Sequence, residues 1–210
     1  MSSVIVLLHG LGRTHRSMGS LRRRLEAEGH ETWSMTYPSR RGTMSSISDR
    51  ISERIDRDLG DRPLIAVTHS MGGIILRHLA KRHDWQGSVL LAPPNSGSKA
   101  ARWASRTPLL RWFFGPALGQ LADPEAWPSL PSPNLVIAGT RGLSWSSPPS
   151  WCFALARIFN SGEAHDGTVS VTETTYQDVD ELRQVHAGHS TIMSNQEVIQ
   201  LVVDWIERNA

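Results

Sequence analysis

The segment Leu64-Ile65-Ala66-Val67-Thr68-His69-Ser70-Met71-Gly72-Gly73-Ile74-Ile75 decides how the rest of the chain is read. Its first four residues form a continuous apolar run of strand length, the pattern of a strand covered on both faces. Ile74, Ile75, His78 and Leu79 then mark a helical stripe. A serine on a sharp turn between such a strand and helix sits in a strained backbone and needs small neighbours two positions to either side. Gly72 meets that demand on the helix side. Thr68 stands where glycine is usual, so the local packing has to open slightly to hold it. The turn aims the Met71 amide and the helix N-terminus at a point beside Ser70 where negative charge can develop. The simpler reading makes Ser70 a helix cap. The partner residues found downstream favour a nucleophile.

Three further apolar runs resemble the first: Val4–Leu8, Val89–Ala92 and Leu135–Ala138. Weaker strand patterns lie at Glu31–Tyr37 and Glu181–His186. Between them run helical stripes at Met18, Leu21 and Leu25, at Ile47, Ile51, Ile55 and Leu59, and at Val198, Leu201, Val202 and Trp205. This alternation predicts right-handed βαβ crossovers and a doubly wound, mostly parallel α/β sheet. The stretch 93–133 breaks the alternation. It carries Trp103, Leu109, Leu110, Trp112, Phe113, Phe114 and Trp127 among several prolines. So long a connection without a strand reads as a short helical cap or lid inserted into a single domain spanning 1–210. Packing of those aromatics onto the domain is the alternative.

The 210 residues, 39% hydrophobic, suit one core without disulfides or metals. A formal net charge of +2 is no nucleic-acid footprint. Arg22-Arg23-Arg24 reads as a solvated helix face. The single cysteine, Cys152, lies between Trp151 and Phe153 and reads as a small buried hydrophobe. No signal peptide or bilayer-spanning segment is visible, which gives the expectation of a cytoplasmic protein without stable membrane insertion. Oligomeric state is left open.

The first strand runs into His9-Gly10-Leu11-Gly12. Glycines let this backbone approach a bound group closely, and the Leu11 amide is the candidate partner of the Met71 amide in an oxyanion hole. His9 reads as structural. A phosphate loop is excluded because no Gly-Lys-Ser/Thr follows and the dinucleotide fingerprint is absent. A serine hydroxyl needs an imidazole base, and the imidazole needs a carboxylate to fix its tautomer. His189, after the last strand and the Ala187-Gly188 turn, is the preferred base, with His186 as rival. Asp166, in His165-Asp166-Gly167-Thr168-Val169, is the preferred acid, with Glu163 as runner-up. Asp178 and Asp180 precede the last strand and belong to the opposite end of the sheet, away from where ligands gather.

Taken together, His9-Gly10-Leu11-Gly12, His69-Ser70-Met71-Gly72-Gly73, Asp166-Gly167-Thr168-Val169 and Gly188-His189 resemble the lipase and esterase branch of the α/β-hydrolase superfamily. Ala92-Pro93-Pro94-Asn95-Ser96-Gly97-Ser98 narrows the resemblance to small bacterial esterases. The resemblance implies an α/β-hydrolase fold lacking the usual N-terminal hairpin, a Ser70–Asp166–His189 triad, an oxyanion hole from Leu11 and Met71, and no cofactor. It implies a small-molecule acyl ester as substrate and no nucleic acid. Thioesterase, acyltransferase and amidase chemistry use the same constellation, and a non-catalytic binding protein on the same scaffold is a further alternative. Trp103, Trp112, Phe113 and Phe114 are the expected lining of an acyl pocket. That pocket is expected to prefer uncharged esters with short to medium acyl chains over acetate.

Overall fold

A computed structural model describes residues 3–122, 127–142 and 158–209. Cys152 and its two aromatic neighbours lie outside the described residues. Six strands form one all-parallel sheet: β1 (Val4–Leu8), β2 (Thr32–Ser34), β3 (Leu64–His69), β4 (Trp85–Leu91), β5 (Asn134–Gly139) and β6 (Glu181–Val185). Their spatial order is β2-β1-β3-β4-β5-β6. The chain builds outward from β1 to β2, returns to pair β3 on the other side of β1, and then proceeds in one direction. The reversal therefore falls between β1 and β3. Ligands in open parallel sheets gather at such a reversal, beyond the carboxyl ends of the strands.

The four apolar runs are the central strands, and β1, β3 and β5 are buried along their whole length. The two weak patterns are the edges, where β2 is only half-buried and Arg183 and Gln184 of β6 are exposed. An edge strand needs less apolar sequence because one flank meets solvent.

Alternate residues of each strand serve different cores. Val4, Val6 and Leu8 join Ile47, Ile51 and Ile55 of α2 (Met44–Leu59) and Ile74 and Leu79 of α3 (Met71–Leu79). Ile5 and Leu7 join Leu21 and Leu25 of α1 (Gly19–Ala27) and the C-terminal helix, whose Val198, Val202 and Trp205 are buried. Each such side chain contributes roughly 1.5–3 kcal/mol of apolar burial. Arg22 and Arg24 pair along the solvent face of α1 with Glu26 and Glu28.

Between β4 and β5 the chain forms three short helices, α4 (Lys99–Ser105), α5 (Pro108–Phe114) and α6 (Pro116–Ala122). Ala100, Ala101 and Ala104 of α4 and Ala117, Leu118 and Leu121 of α6 are buried, whereas α5 buries no residue. A single turn, α7 (Val171–Thr174), precedes β6, and α8 (Gln196–Asn209) closes the chain.

An ion pair buried on its arginine side and partly exposed on its aspartate side locks this arrangement at the far end of α3. The Arg77 guanidinium, wholly buried, donates to both oxygens of Asp178 at 2.7 and 2.9 Å. It also donates to Asn95 Oδ1 and the Pro128 carbonyl. Three partners therefore meet at one cation, and Asn95 in turn donates to the Thr174 carbonyl. Burial alone would raise the Asp178 carboxyl, but the hydrogen bonds from Arg77 and the Leu130 amide outweigh it and lower its pKa. Removing one partner of such a pair strands the other. Asp178→Asn and Arg77→Met should each lower unfolding stability by about 3 kcal/mol in denaturant titrations. Because the folded pKa of Asp178 is depressed, its contribution is present above the unfolded carboxyl pKa and is lost as pH falls through the folded value. The difference between wild type and Asp178→Asn should therefore shrink on acidification.

Candidate active site

The backbone turns sharply where β3 meets α3. Ser70 has φ 53° and ψ −121°, a left-handed conformation that L-residues with side chains avoid. The turn is fixed by the Ser70 amide, which donates to the Leu91 carbonyl at 2.8 Å, and by the Gly73 amide, which donates to the Ser70 carbonyl at 2.9 Å. Two glycines let the exit of β1 pack against it. A Cβ on Gly72 would lie 2.6 Å from the Leu8 carbonyl oxygen, and one on Gly10 would lie 2.9 Å from His69 Nδ1. Thr68 is fully buried in the place where glycine is usual. A Cβ on the adjoining Gly73 would stand 2.9 Å from Leu90 Cδ2 and 3.0 Å from Pro93 Cβ, and at ordinary contact distance from the Thr68 hydroxyl.

The structure brings Ser70, His189 and Asp166 into one hydrogen-bonded chain. Asp166 Oδ2 accepts from His189 Nδ1 at 2.7 Å, so the ring proton sits on Nδ1 and leaves Nε2 bare. The Ser70 hydroxyl donates to that Nε2 at 3.0 Å. The second carboxylate oxygen of Asp166 accepts the Thr168 and Val169 amides at 2.9 and 2.8 Å. The His189 amide donates to the Asp166 carbonyl at 2.9 Å, and His69 Nε2 donates to the His189 carbonyl at 3.0 Å. The imidazole is thus held from its ring and from both sides of its backbone.

The competing residues lie elsewhere. His186 is exposed at the end of β6. Glu163 is engaged by Lys99 at 2.6 Å. Burial would raise the Glu163 carboxyl, but Lys99 and the Asn160 amide bring its pKa to about 2. Asp178 and Asp180 are bound to Arg77 and Asn134 at the opposite end of the sheet.

The loop after β1 is braced from beneath. His9 donates from Nδ1 to the Gly10 carbonyl at 2.9 Å and stacks on Tyr37, with ring centroids 3.8 Å apart. The Tyr37 amide donates to His9 Nε2, and its hydroxyl donates to the His9 carbonyl. Burial is the main reason the His9 pKa falls to about 4, so this ring is neutral at pH 7. Leu11 stands at the cavity beside Ser70. Met71 opens α3, so its amide has no acceptor within its own first turn.

A cavity of about 150 Å³ opens at Ser70. Beyond Ser70, His189 and the loop after β1, its wall includes Ala100, Ala101, Ala104, Phe114, Leu118 and Leu121 of the insertion. Of the four aromatics expected to line it, Phe114 does so. Trp103, Trp112 and Phe113 do not, and they are 36%, 80% and 49% exposed. The inward stripes are Ala100, Ala101 and Ala104 on α4 and Ala117, Leu118 and Leu121 on α6, both at i, i+1 and i+4. Small residues leave the cavity open, and Trp103, the one aromatic ring on these two helices, is not among the lining residues. Phe113 instead lies under the Arg40 guanidinium, 4.8 Å from the ring centroid. The alanine spacing was readable in the sequence but is masked there by the aromatic content. One further lining residue, Arg13, is the only charged side chain of the cavity wall among the described residues.

With fold and geometry in place, the chain belongs to the alpha/beta hydrolase family, whose model matches residues 5–201. The mature lipase BlEst2 of Bacillus licheniformis superposes with a TM-score of 0.75 at 17% identity, covering 97% of this chain and 91% of that one. The metagenomic carboxyl esterase MGS0156 gives 0.69 at 19% identity, covering 99% and 76%. Phospholipase PlaB of Legionella pneumophila gives 0.60 at 19%, covering 83% and 46%. No curated protein matches the sequence.

The close approach at Gly72 yields a stability test. Gly72→Ala forces a methyl onto the Leu8 carbonyl and should lower unfolding stability by about 1–3 kcal/mol. Gly119, in α6, has open space around its α-carbon. Gly119→Ala should be stabilising by roughly 0.5–1 kcal/mol, because only backbone entropy changes. Thermal melts of the two variants should move in opposite directions.

Proposed function

We propose that this hydrolase cleaves carboxylic esters through an acyl-enzyme on Ser70. The observation that carries the reading is the unbroken chain from the Ser70 hydroxyl through His189 to Asp166 at the floor of an apolar cavity. Ser70 Oγ attacks the acyl carbonyl while His189 Nε2 takes its proton. Asp166, its charge held by two backbone amides, stabilises the imidazolium and keeps the ring in the working tautomer. The Leu11 and Met71 amides receive the negative oxygen of the tetrahedral intermediate. His189 returns the proton to the leaving alcohol. Water, deprotonated by the same ring, then releases the acid and restores Ser70.

The insertion 93–133 serves in this reading as a cap over the acyl pocket. A cavity of this size holds a molecule about as large as benzene. That supports short acyl chains, with each added methylene gaining about 0.8 kcal/mol until the space is full.

Ser70→Ala should reduce ester turnover by about 10³-fold or more with the fold intact. His189→Ala should be comparably damaging, and Asp166→Asn severe, since Glu163 is committed to Lys99. A fluorophosphonate should label Ser70 in wild type. Folded protein that resists the label and turns over no ester, thioester or amide would instead be a binding protein on this scaffold.

Chain length provides a separate test. Ala104→Leu should fill part of the cavity and depress kcat/KM for hexanoate relative to acetate by about tenfold, the worth of roughly two methylenes. Trp112→Ala and Phe113→Ala, outside the cavity, should leave the chain-length profile as it is.

A further inference from the structure

Arg13 is not used by the chemistry above, yet it stands in the wall of the same cavity as Ser70 and His189. Its backbone position is fixed. The Arg13 amide donates to the Gly10 carbonyl at 3.3 Å, closing a four-residue turn with Gly12 at its third position. Gly12 has φ 69°, as that position demands, and its amide donates to Ser39 Oγ at 2.9 Å. The guanidinium therefore projects from the rigid loop that also carries the Leu11 amide.

Other arginines with limited exposure in this protein have acceptors. Arg77 holds Asp178, and Arg62 holds Glu31. Among the described residues, no carboxylate, carbonyl or hydroxyl accepts from the Arg13 side chain. No aspartate or glutamate among the described residues lines the cavity, and the nearby Arg40 adds positive charge, its Cδ lying 3.9 Å from where a Gly12 Cβ would stand. A partly desolvated guanidinium without an acceptor carries an uncompensated cost. Burial also pulls its pKa below the ordinary arginine value, although the group remains a cation. The other described residues of the wall are apolar or neutral, so an anion entering this cavity meets one fork-shaped donor and no carboxylate among them.

We propose that Arg13 selects esters bearing an anionic oxygen group, a carboxylate or a phosphate, beside the scissile ester. This rests on the Ser70 reading and replaces the sequence-based expectation of uncharged substrates. Two parallel N–H donors suit either anion, and such charge-assisted pairs bind in a defined orientation. The anion sits on Arg13 at the loop side of the cavity while the apolar part of the substrate packs on α4 and α6.

The test compares matched esters. The acyl-side pair is p-nitrophenyl butyrate and the mono-p-nitrophenyl ester of glutaric acid. The alcohol-side set is phenyl butyrate with the butyrate esters of 4-hydroxybenzoate and of 4-hydroxyphenyl phosphate. The readout is the ratio of kcat/KM for the charged ester over its neutral counterpart. Wild type should favour at least one charged ester by about tenfold or more, mainly through KM, and the favoured member tells carboxylate from phosphate and acyl side from alcohol side. Arg13→Gln should reduce that ratio about ten- to a hundredfold, as expected for a lost hydrogen bond to a charged group. Arg13→Lys should retain part of it, having the charge without the fork. Arg16→Gln removes the same charge at an exposed neighbour and should leave the ratio as in wild type. A Ser70-dependent enzyme whose ratio is unity or below in every pair overturns the proposal and leaves the ester reading standing. An equal loss on charged and neutral esters in Arg13→Gln also overturns it, because Arg13 would then serve the oxyanion and not specificity. Absence of fluorophosphonate labelling and of all ester turnover would mark failure of the Ser70 reading itself.

Discussion

The left-handed turn at Ser70 is the constraint on which the other features depend. A side-chain-bearing residue at φ 53° is held only because its surroundings leave no alternative. The Ser70 amide is tied to β4 through the Leu91 carbonyl, and Gly72 brings the start of α3 against the carbonyl oxygens leaving β1. That contact exists because the sheet order reverses between β1 and β3, which sets the carboxyl ends of those strands side by side. The loop carrying Leu11 therefore reaches Ser70 although about sixty residues separate them in sequence. A bulkier residue at Gly10 or Gly72 would push the two loops apart.

Around this turn the protein handles buried polar groups by fixing their protons. His9 and His69 are both kept neutral, chiefly by burial, and each spends its ring N–H on a backbone carbonyl. His9 supports the first loop through Tyr37, and His69 supports the His189 backbone. Asp166 satisfies its second oxygen with two amides, so the whole carboxylate is committed before a substrate arrives. Preorganisation of this kind means that little has to move when charge develops. The contrast with Arg13 is informative. Ser70, His189 and Asp166 are matched within the protein, and the Arg13 guanidinium, the one arginine or lysine among the described wall residues, is not.

The insertion shows how composition can mislead about orientation. Its content of large rings points to a pocket lining, yet a helix of seven residues has one inward face. In α4 that face is Ala100, Ala101 and Ala104, and Trp103 falls outside it. Apolar content measures how much surface an element can cover. Which side chains face a cavity depends on the register of the helix against its neighbours.

The sequence by itself determined the parallel sheet, its central strands and the helices between them, because burial on two faces demands continuous apolar runs and burial on one demands a stripe. It also determined Ser70, His189 and Asp166 as candidates, since a turn chemistry and an order along the chain can be read from residue types. The edge strands β2 and β6 were faint because half-exposed strands carry no strong pattern. Tertiary structure alone decided that Glu163 belongs to Lys99, that Arg77 and Asp178 form the clamp, and that Arg13 has a place in the cavity wall. Those facts rest on distances between segments far apart in sequence, and no local propensity encodes such a distance. They follow only once the strand order has put the segments beside one another.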